Sequence, residues 1–494
     1  MASLRGVLTG VTLLLAGCGD SGKSDDTAGD GSSGGGGSTG ADTGGGSTGA
    51  PPTSSASAEE TTDDPTGGAA DVRPNWHEDI APLVTKHCQS CHVAGGIAPF
   101  AMTTYAETEG FAALMAFDVM DGLMPPWHAL ETAECDPVFP YKHDARLTDA
   151  EKQLFQGWAD AGAPEGDPAK AAPLPAPPSL DLADPTTTAL SPATVAIEKV
   201  GNTTDFFHCL SIDPGNTESV YLDGVQVVPG NPGIVHHVLI YVDAAGESAS
   251  WAGGVKHNCG GGSGVGGGQL IGGWVPGGLP MESPADVGTE LPPGTRLILN
   301  VHYHATGAGA EEDKGTGLAL RWKTTPPTWQ TFFTLIGAPG VGQSLDGPLL
   351  IPAGEDEHVE EYQYVVGDQG MSFPDIVDVR VWTVLNHMHK VGVDMRVWVE
   401  DRDTGEESCL LHTPRWDFNW QRSYALDSPI TGSFRVRAGD KVRVRCVYNN
   451  TKSNPGVLEM LAELGLTEPV DVSLGEATGD EMCLTGIGVA IKGL

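Results

Sequence analysis

Residues 86–92 read KHCQSCH, and no other string restricts this chain as much. Cys88 and Cys91 are separated by two residues and His92 follows directly. At that spacing two thiols add to the vinyl groups of a haem while the neighbouring imidazole takes one axial position on the iron. The bland readings are half of a zinc site or a disulfide turn. A zinc site needs a second ligand pair at similar spacing and none lies nearby, so one covalently bound haem c is the expected cofactor.

Helical signals surround that string. Asn75 precedes WHEDIAPLVTKH with Glu78 three residues on, an N-cap with a carboxylate reaching back, and Trp76, Ile80, Leu83, Val84 and His87 recur at helical spacing. Thr148 with Glu151 is a capping box opening a second helix, with Leu154, Phe155, Trp158 and Ala161 on one face and Gly162 past its end. Two helices flanking a haem motif resemble the small class of cytochrome c, over residues 71–165. The resemblance implies a Met on the sixth iron position, from a loop between the helices. Met124 in GLMPPW matches best, because Pro125 and Pro126 prevent helix there. Met102, Met115 and Met120 compete, His128 is a non-Met alternative, and core filling is the ordinary use of a methionine. A Met/His pair raises the potential and disfavours oxygen binding, so such a module carries electrons.

Residues 1–18 hold Arg5, the apolar run VLTGVTLLLAG and Cys18, the pattern of an export signal ending at small residues. LAGC resembles a bacterial lipobox, which implies that Cys18 is lipidated and anchors an exported chain to a cell membrane. No other apolar run approaches the about 18 residues of a membrane span. Residues 19–70 are Gly, Ser, Thr, Asp and Ala with almost no large apolar side chain, a composition that cannot bury enough surface to fold, so they read as a tether. A Pro-rich linker is expected over 166–190. The net charge of −38 argues against nucleic acid as a partner. Setting aside Cys18, Cys88 and Cys91 leaves Cys135, Cys209, Cys259, Cys409, Cys446 and Cys483, enough for three disulfides in an oxidising compartment, with many pairings open.

Past residue 190 the chain becomes short Val-, Ile- and Tyr-rich runs broken by Gly and Pro, the signature of antiparallel sandwiches. The expected architecture is a small all-α domain followed by two all-β sandwiches, 191–325 and 326–494. Histidines cluster on the runs: His236 with His237, His302 with His304, and His387 with His389. Residues i and i+2 of a strand share a face, so His387 and His389 can hold one ion directly. Adjacent His236 and His237 point to opposite faces unless the strand is bulged or strongly twisted. Singly, each is more often a satisfied buried residue, but three clusters on strands point to metal.

HHVLIYV, LNVHYH, NHMHKVG, GDEMC and WDFNWQ (416–421) occur in an order that resembles the type II copper monooxygenases, which include peptidylglycine α-hydroxylating monooxygenase and dopamine β-hydroxylase. The resemblance covers about 190–494. It implies two copper ions on separate sandwiches: one on His236, His237 and His302 for electron transfer, and one on His387, His389 and Met482 where oxygen and substrate react. The thioether suits Cu(I), the state that must meet oxygen. His304 is left over, as an outer partner or spare donor. The resemblance also implies a Cys446–Cys483 disulfide. Cys209 resembles a Cys ahead of the paired histidines whose usual partner is missing here, which leaves Cys259 as a candidate. Where the peptide-amidating branch has an Arg, an Asn and a Tyr for its substrate carboxylate, this chain has Leu385, Leu484 and Gly486, so an uncharged small molecule is expected.

The implied activity is insertion of one atom of O2 into an aliphatic C–H bond, with electrons from the fused haem, its own electron donor, or ascorbate. A non-catalytic copper and haem redox lipoprotein is the alternative. A zinc hydrolase is weaker, because no carboxylate stands at a base-like spacing beside the histidines and Met482 is a poor zinc ligand.

Overall fold

The computed structural model describes residues 73–493 apart from positions 178, 202, 369–376 and 478. The expected signal segment 1–18, its Cys18 and the tether 19–70 lie outside the described residues.

The helical signals are realised where the sequence places them. Asn75 accepts from the Glu78 N–H at 3.0 Å, and the helix Ala81–His87 delivers the chain to Cys88. Thr148 and Glu151 form the reciprocal capping box of the helix Asp149–Asp160. A third helix, Ala112–Asp121, stands between them and ends at Gly122 in the left-handed conformation that a residue without Cβ adopts freely. Ile80, Val84, Met102, Met115, Phe155 and Trp158 close this core.

From residue 187 onward the chain is mostly antiparallel sheet. One five-stranded sheet has Arg296–His304 at its centre, between Asp205–Ile212 and Val235–Asp243. A second has Lys441–Tyr448 between His358–Val365 and Gly392–Glu400. A ten-stranded sheet packs against both, because Val287–Leu291 and Trp329–Ala338 pair in parallel through Trp329 with Val287 and Gln330 with Gly288. The expected boundary at 325/326 therefore falls between strands of one continuous sheet. The helix Pro455–Leu464 is the one helical element in this β region longer than a single turn among the described residues.

Two expected boundaries are corrected. The span 71–165 does not close on itself: Trp127, Ala129 and Tyr141 are buried in the core of the second sandwich, Tyr141 Oη donates to the Leu410 carbonyl at 2.7 Å, and Cys135 is bonded to Cys409. An aromatic-rich loop finds more apolar surface against a sheet than within three short helices. The linker 166–190 also carries structure, since Ala172 N–H donates to the His77 carbonyl and Thr187–Leu190 is an edge strand on Gly317–Lys323.

Candidate metal centres

Among the described residues the six cysteines apart from Cys88 and Cys91 form three disulfides, Cys135–Cys409, Cys209–Cys259 and Cys446–Cys483. Paired cysteines suit an oxidising, exported compartment. No helix among the described residues is long and apolar enough to cross a membrane.

Cys88 and Cys91 remain free thiols. His92 Nδ1 lies 3.0 Å from the Phe100 carbonyl, which fixes the proton there and leaves Nε2 bare for an iron. The His92 ring meets Phe100 edge-on at 5.0 Å, and Phe100 stacks on Phe111 at 3.9 Å. Two thiols and an oriented imidazole beside stacked aromatic rings fit a flat apolar macrocycle. Met102 and Met115 are consumed by the helical core, at 5% exposure each. Met120 and Met124 stay outside it, and Met124 follows the helix end with its N–H on the Asp118 carbonyl. His128 belongs elsewhere: its N–H meets Tyr424 Oη of the second sandwich.

The paired histidines meet the condition that adjacency sets. The ladder pairs His302 with His237 but Tyr303 with Val235, so His236 is the extra residue of a β-bulge. The bulge turns both imidazoles to one place. His237 Nδ1 lies 3.3 Å from His236 Nδ1 and 3.3 Å from His302 Nδ1, and one ligand atom from each of the three falls within 4.8 Å of the others. His302 Nε2 is 2.9 Å from Asp205 Oδ1, so its proton sits on the outer nitrogen and Nδ1 is a bare donor. The same carboxylate oxygen holds His304 Nδ1 at 3.1 Å, which makes His304 an outer partner. Phe207 stacks on the His302 ring at 4.4 Å.

The second set faces the first. The His237 and His387 ring centres are 6.3 Å apart, and those of His387 and His389 are 5.2 Å apart. His387 Nδ1 lies 2.5 Å from Gln421 Oε1, and Gln421 Nε2 donates to the Phe418 carbonyl, which fixes the amide with its oxygen toward the ring. His389 Nδ1 lies 3.0 Å from the Asp480 carbonyl. Both Nδ1 atoms are therefore protonated donors and both Nε2 atoms are free. Met482 belongs to the turn that fixes His389: the Glu481 carboxylate accepts from the backbone N–H of His389 and of Met482. The ladder between Val379–His387 and Cys483–Lys492 closes on the pair His387 with Leu484, so Met482 and His389 lie just past its end.

Burial holds these imidazoles neutral. His236 and His389 are each pushed down to about 3, first by desolvation and then by neighbouring histidines, and His237 and His387 are lowered for the same first reason. A neutral imidazole is the form that binds a metal. Buried Glu481 is pushed up to about 8 by desolvation, against the pull of the backbone N–H groups it accepts from.

No family model matches this chain, and no curated protein matches it. Among solved structures, the VP2 subviral particle of infectious bursal disease virus aligns over 62% of this chain and 80% of its own at 10% identity, with a TM-score of 0.11 that carries no argument.

Asp205, Phe418 and Gln421 are site residues that the sequence reading did not single out. Asp205 opens the strand DFFHCLSI with no ligand spacing to the histidine pairs, and Phe418 and Gln421 lie in WDFNWQ with none of their own. His237 and His302 lie on one five-stranded sheet and His387 on the ten-stranded sheet, and the His237 and His387 rings stand 6.3 Å apart.

Proposed function

We propose that this chain is a haem-fed copper monooxygenase of the type II copper kind, inserting one atom of O2 into an aliphatic C–H bond of an uncharged small molecule. The helical region with Cys88, Cys91, His92 and Met124 is its c-type electron carrier, and the chain is exported and lipid-anchored through Cys18. One observation carries the reading: the Nδ1 atoms of His236, His237 and His302 converge, and the His387 and His389 rings, with Nδ1 turned to Gln421 and to the Asp480 carbonyl, stand beside them.

Copper bound there would supply one-electron redox chemistry and dioxygen activation, for the balance R–H + O2 + 2e⁻ + 2H⁺ → R–OH + H2O. The residues of the chain do the rest. Asp205 holds His302, Gln421 holds His387 and the Asp480 carbonyl holds His389, so these three imidazoles do not have to reorient. Phe418 lies over His236 at 5.3 Å and edge-on to His389 at 5.8 Å, an apolar ring that excludes water between the sets. Met482, 8% exposed, brings a soft donor that favours Cu(I). The position corresponding to a carboxylate grip is apolar: Gly486 pairs with Leu385, and a Cβ added there would meet Phe333 at 2.6 Å and Leu385 at 2.8 Å.

The test is metal analysis of the purified chain followed by turnover in labelled O2. Copper exceeding iron, with label entering a product, supports the reading. Retention of zinc in preference to copper, or copper without oxygen uptake toward any apolar candidate, overturns it in favour of a hydrolase or a non-catalytic redox protein.

A further inference from the structure

The segment 415–421 joins the end of the helix before Met124 to both histidine sets. Arg415 Nη1 donates to the Asp121 carbonyl at 3.0 Å and Nη2 reaches the Gly122 carbonyl at 3.4 Å, at the end of the helix Ala112–Asp121 and two residues before Met124. Carbonyls at a helix C-terminus have no helical partner and carry the negative end of its dipole, which suits a guanidinium. The next residue, Trp416, is tied by its backbone N–H to the Val393 carbonyl and by its indole N–H to the His389 carbonyl at 3.1 Å. Phe418 and Gln421 then contact His236, His389 and His387. The Cys135–Cys409 bond and the buried Trp127 and Tyr141 pin the helical region against the same sandwich.

We propose that electrons pass from the haem to the His387/His389 centre through Arg415 and Trp416, without first visiting the His236/His237/His302 centre. This route rests on the haem and copper reading above. Electron tunnelling decays far less along covalent and hydrogen bonds than across gaps. The path from the Gly122 carbonyl to His389 runs entirely through such bonds, whereas a path from it to His236 must also cross a gap between rings, from Phe418 at 5.3 Å or from His387 to His237 at 6.3 Å. The step is a single transfer: ferrous haem becomes ferric, one cupric ion becomes cuprous, and no bond or proton moves. Ferrous haem is restored by an external one-electron reductant of the ascorbate class. Arg415 and Trp416 are positioning residues, since neither touches substrate.

The experiment uses the full chain loaded with copper. Its ferric haem is reduced under anaerobic conditions by a flash-generated one-electron donor supplied below one equivalent, and haem reoxidation is followed by absorbance while the cupric signal is followed by electron paramagnetic resonance. Wild type shows a fast phase in which both change together. Arg415→Ala and Trp416→Leu lose that phase with the haem spectrum and both cupric signals intact, and Trp416→Phe, which keeps a ring but no N–H, is intermediate. His302→Ala, with the first copper weakened, keeps it. A fast phase retained in Arg415→Ala and Trp416→Leu, or lost in His302→Ala, overturns the route alone. Wild-type protein that binds no haem or no copper overturns the parent reading and the route with it.

Discussion

The two histidine sets use one side chain in opposite ways. In the first, Nδ1 atoms converge and a carboxylate stands behind: Asp205 holds both His302 and His304. In the second, Nδ1 faces outward to neutral oxygens, the Gln421 amide and the Asp480 carbonyl, and Nε2 is left for the ion. An anionic acceptor behind an imidazole raises its basicity more than a neutral one. The first set should thus hold Cu(II) firmly, and the second, with a thioether, should favour Cu(I). On the proposed reading, a division into a relaying ion and a reacting ion would follow from the groups behind the ligands as much as from the ligands.

The largest effect should come from His237→Ala. His237 Nδ1 stands 3.3 Å from Nδ1 of both other members of its set, and its ring faces His387, so its loss should release the first copper and abolish O2-dependent turnover, while the second copper stays. Copper-to-protein ratios before and after exhaustive dialysis check this. Loss of both ions together would break the comparison, because two sets that fail as one are a single shared centre.

Acidification of the metal-free chain is the next largest. His236 and His389 fall to about 3 in the folded chain from an ordinary value of 6.5. Between those limits the unfolded chain binds protons that the folded chain does not, so stability falls as pH drops from about 6.5 toward about 3. The melting temperature of apo protein should decline across that window, and copper, which competes with protons for the same nitrogens, should raise it most near neutral pH. A flat apo profile would mean that the imidazoles are hydrated rather than buried.

Much of this pair was legible from local pattern, and the reason is geometric. Adjacency demanded a bulge at His236 that the ladder supplies, whereas His389 lies two residues past the strand that ends at His387 and reaches its neighbour from a turn held by Glu481 and the Asp480 carbonyl. The Cys446–Cys483 bond followed from resemblance and is present. What escaped was made by distant segments. Cys135 pairs with Cys409 across 274 residues, and the loop around Trp127 enters a sandwich that begins two hundred residues later, with nothing nearby to announce either. Gln421 earns its place only because a 3₁₀ turn at Phe418–Trp420 aims it at His387. Loop geometry of that kind has no period to read.

Asp205→Asn sharpens the comparison with a smaller effect. It replaces the carboxylate behind His302 with a neutral amide, making the first set resemble the second, and outer partners of metal-bound histidines are worth about 10–100-fold in affinity. Chelator competition should show the first copper weakened by that factor and the second unchanged. Equal weakening of both would mean that the carboxylate acts through the fold and not through His302.

Gln421→Leu should have the smallest effect, and its size relative to Asp205→Asn decides what the comparison is worth. Leucine leaves the His387 Nδ1–H without its acceptor at 2.5 Å in a buried place. Stranding a buried donor costs about 1–3 kcal/mol. Part of that falls on the apo protein as well, so the loss of copper affinity at the second set should sit at or below the low end of the Asp205→Asn range. The ring is also freed to turn, so the second cupric resonance signal should broaden while the first stays sharp. If Gln421→Leu instead weakened copper as strongly as Asp205→Asn, orientation of the imidazole rather than charge behind it would govern both sets, and the argument that Asp205 makes the first centre the firmer holder of Cu(II) would fail.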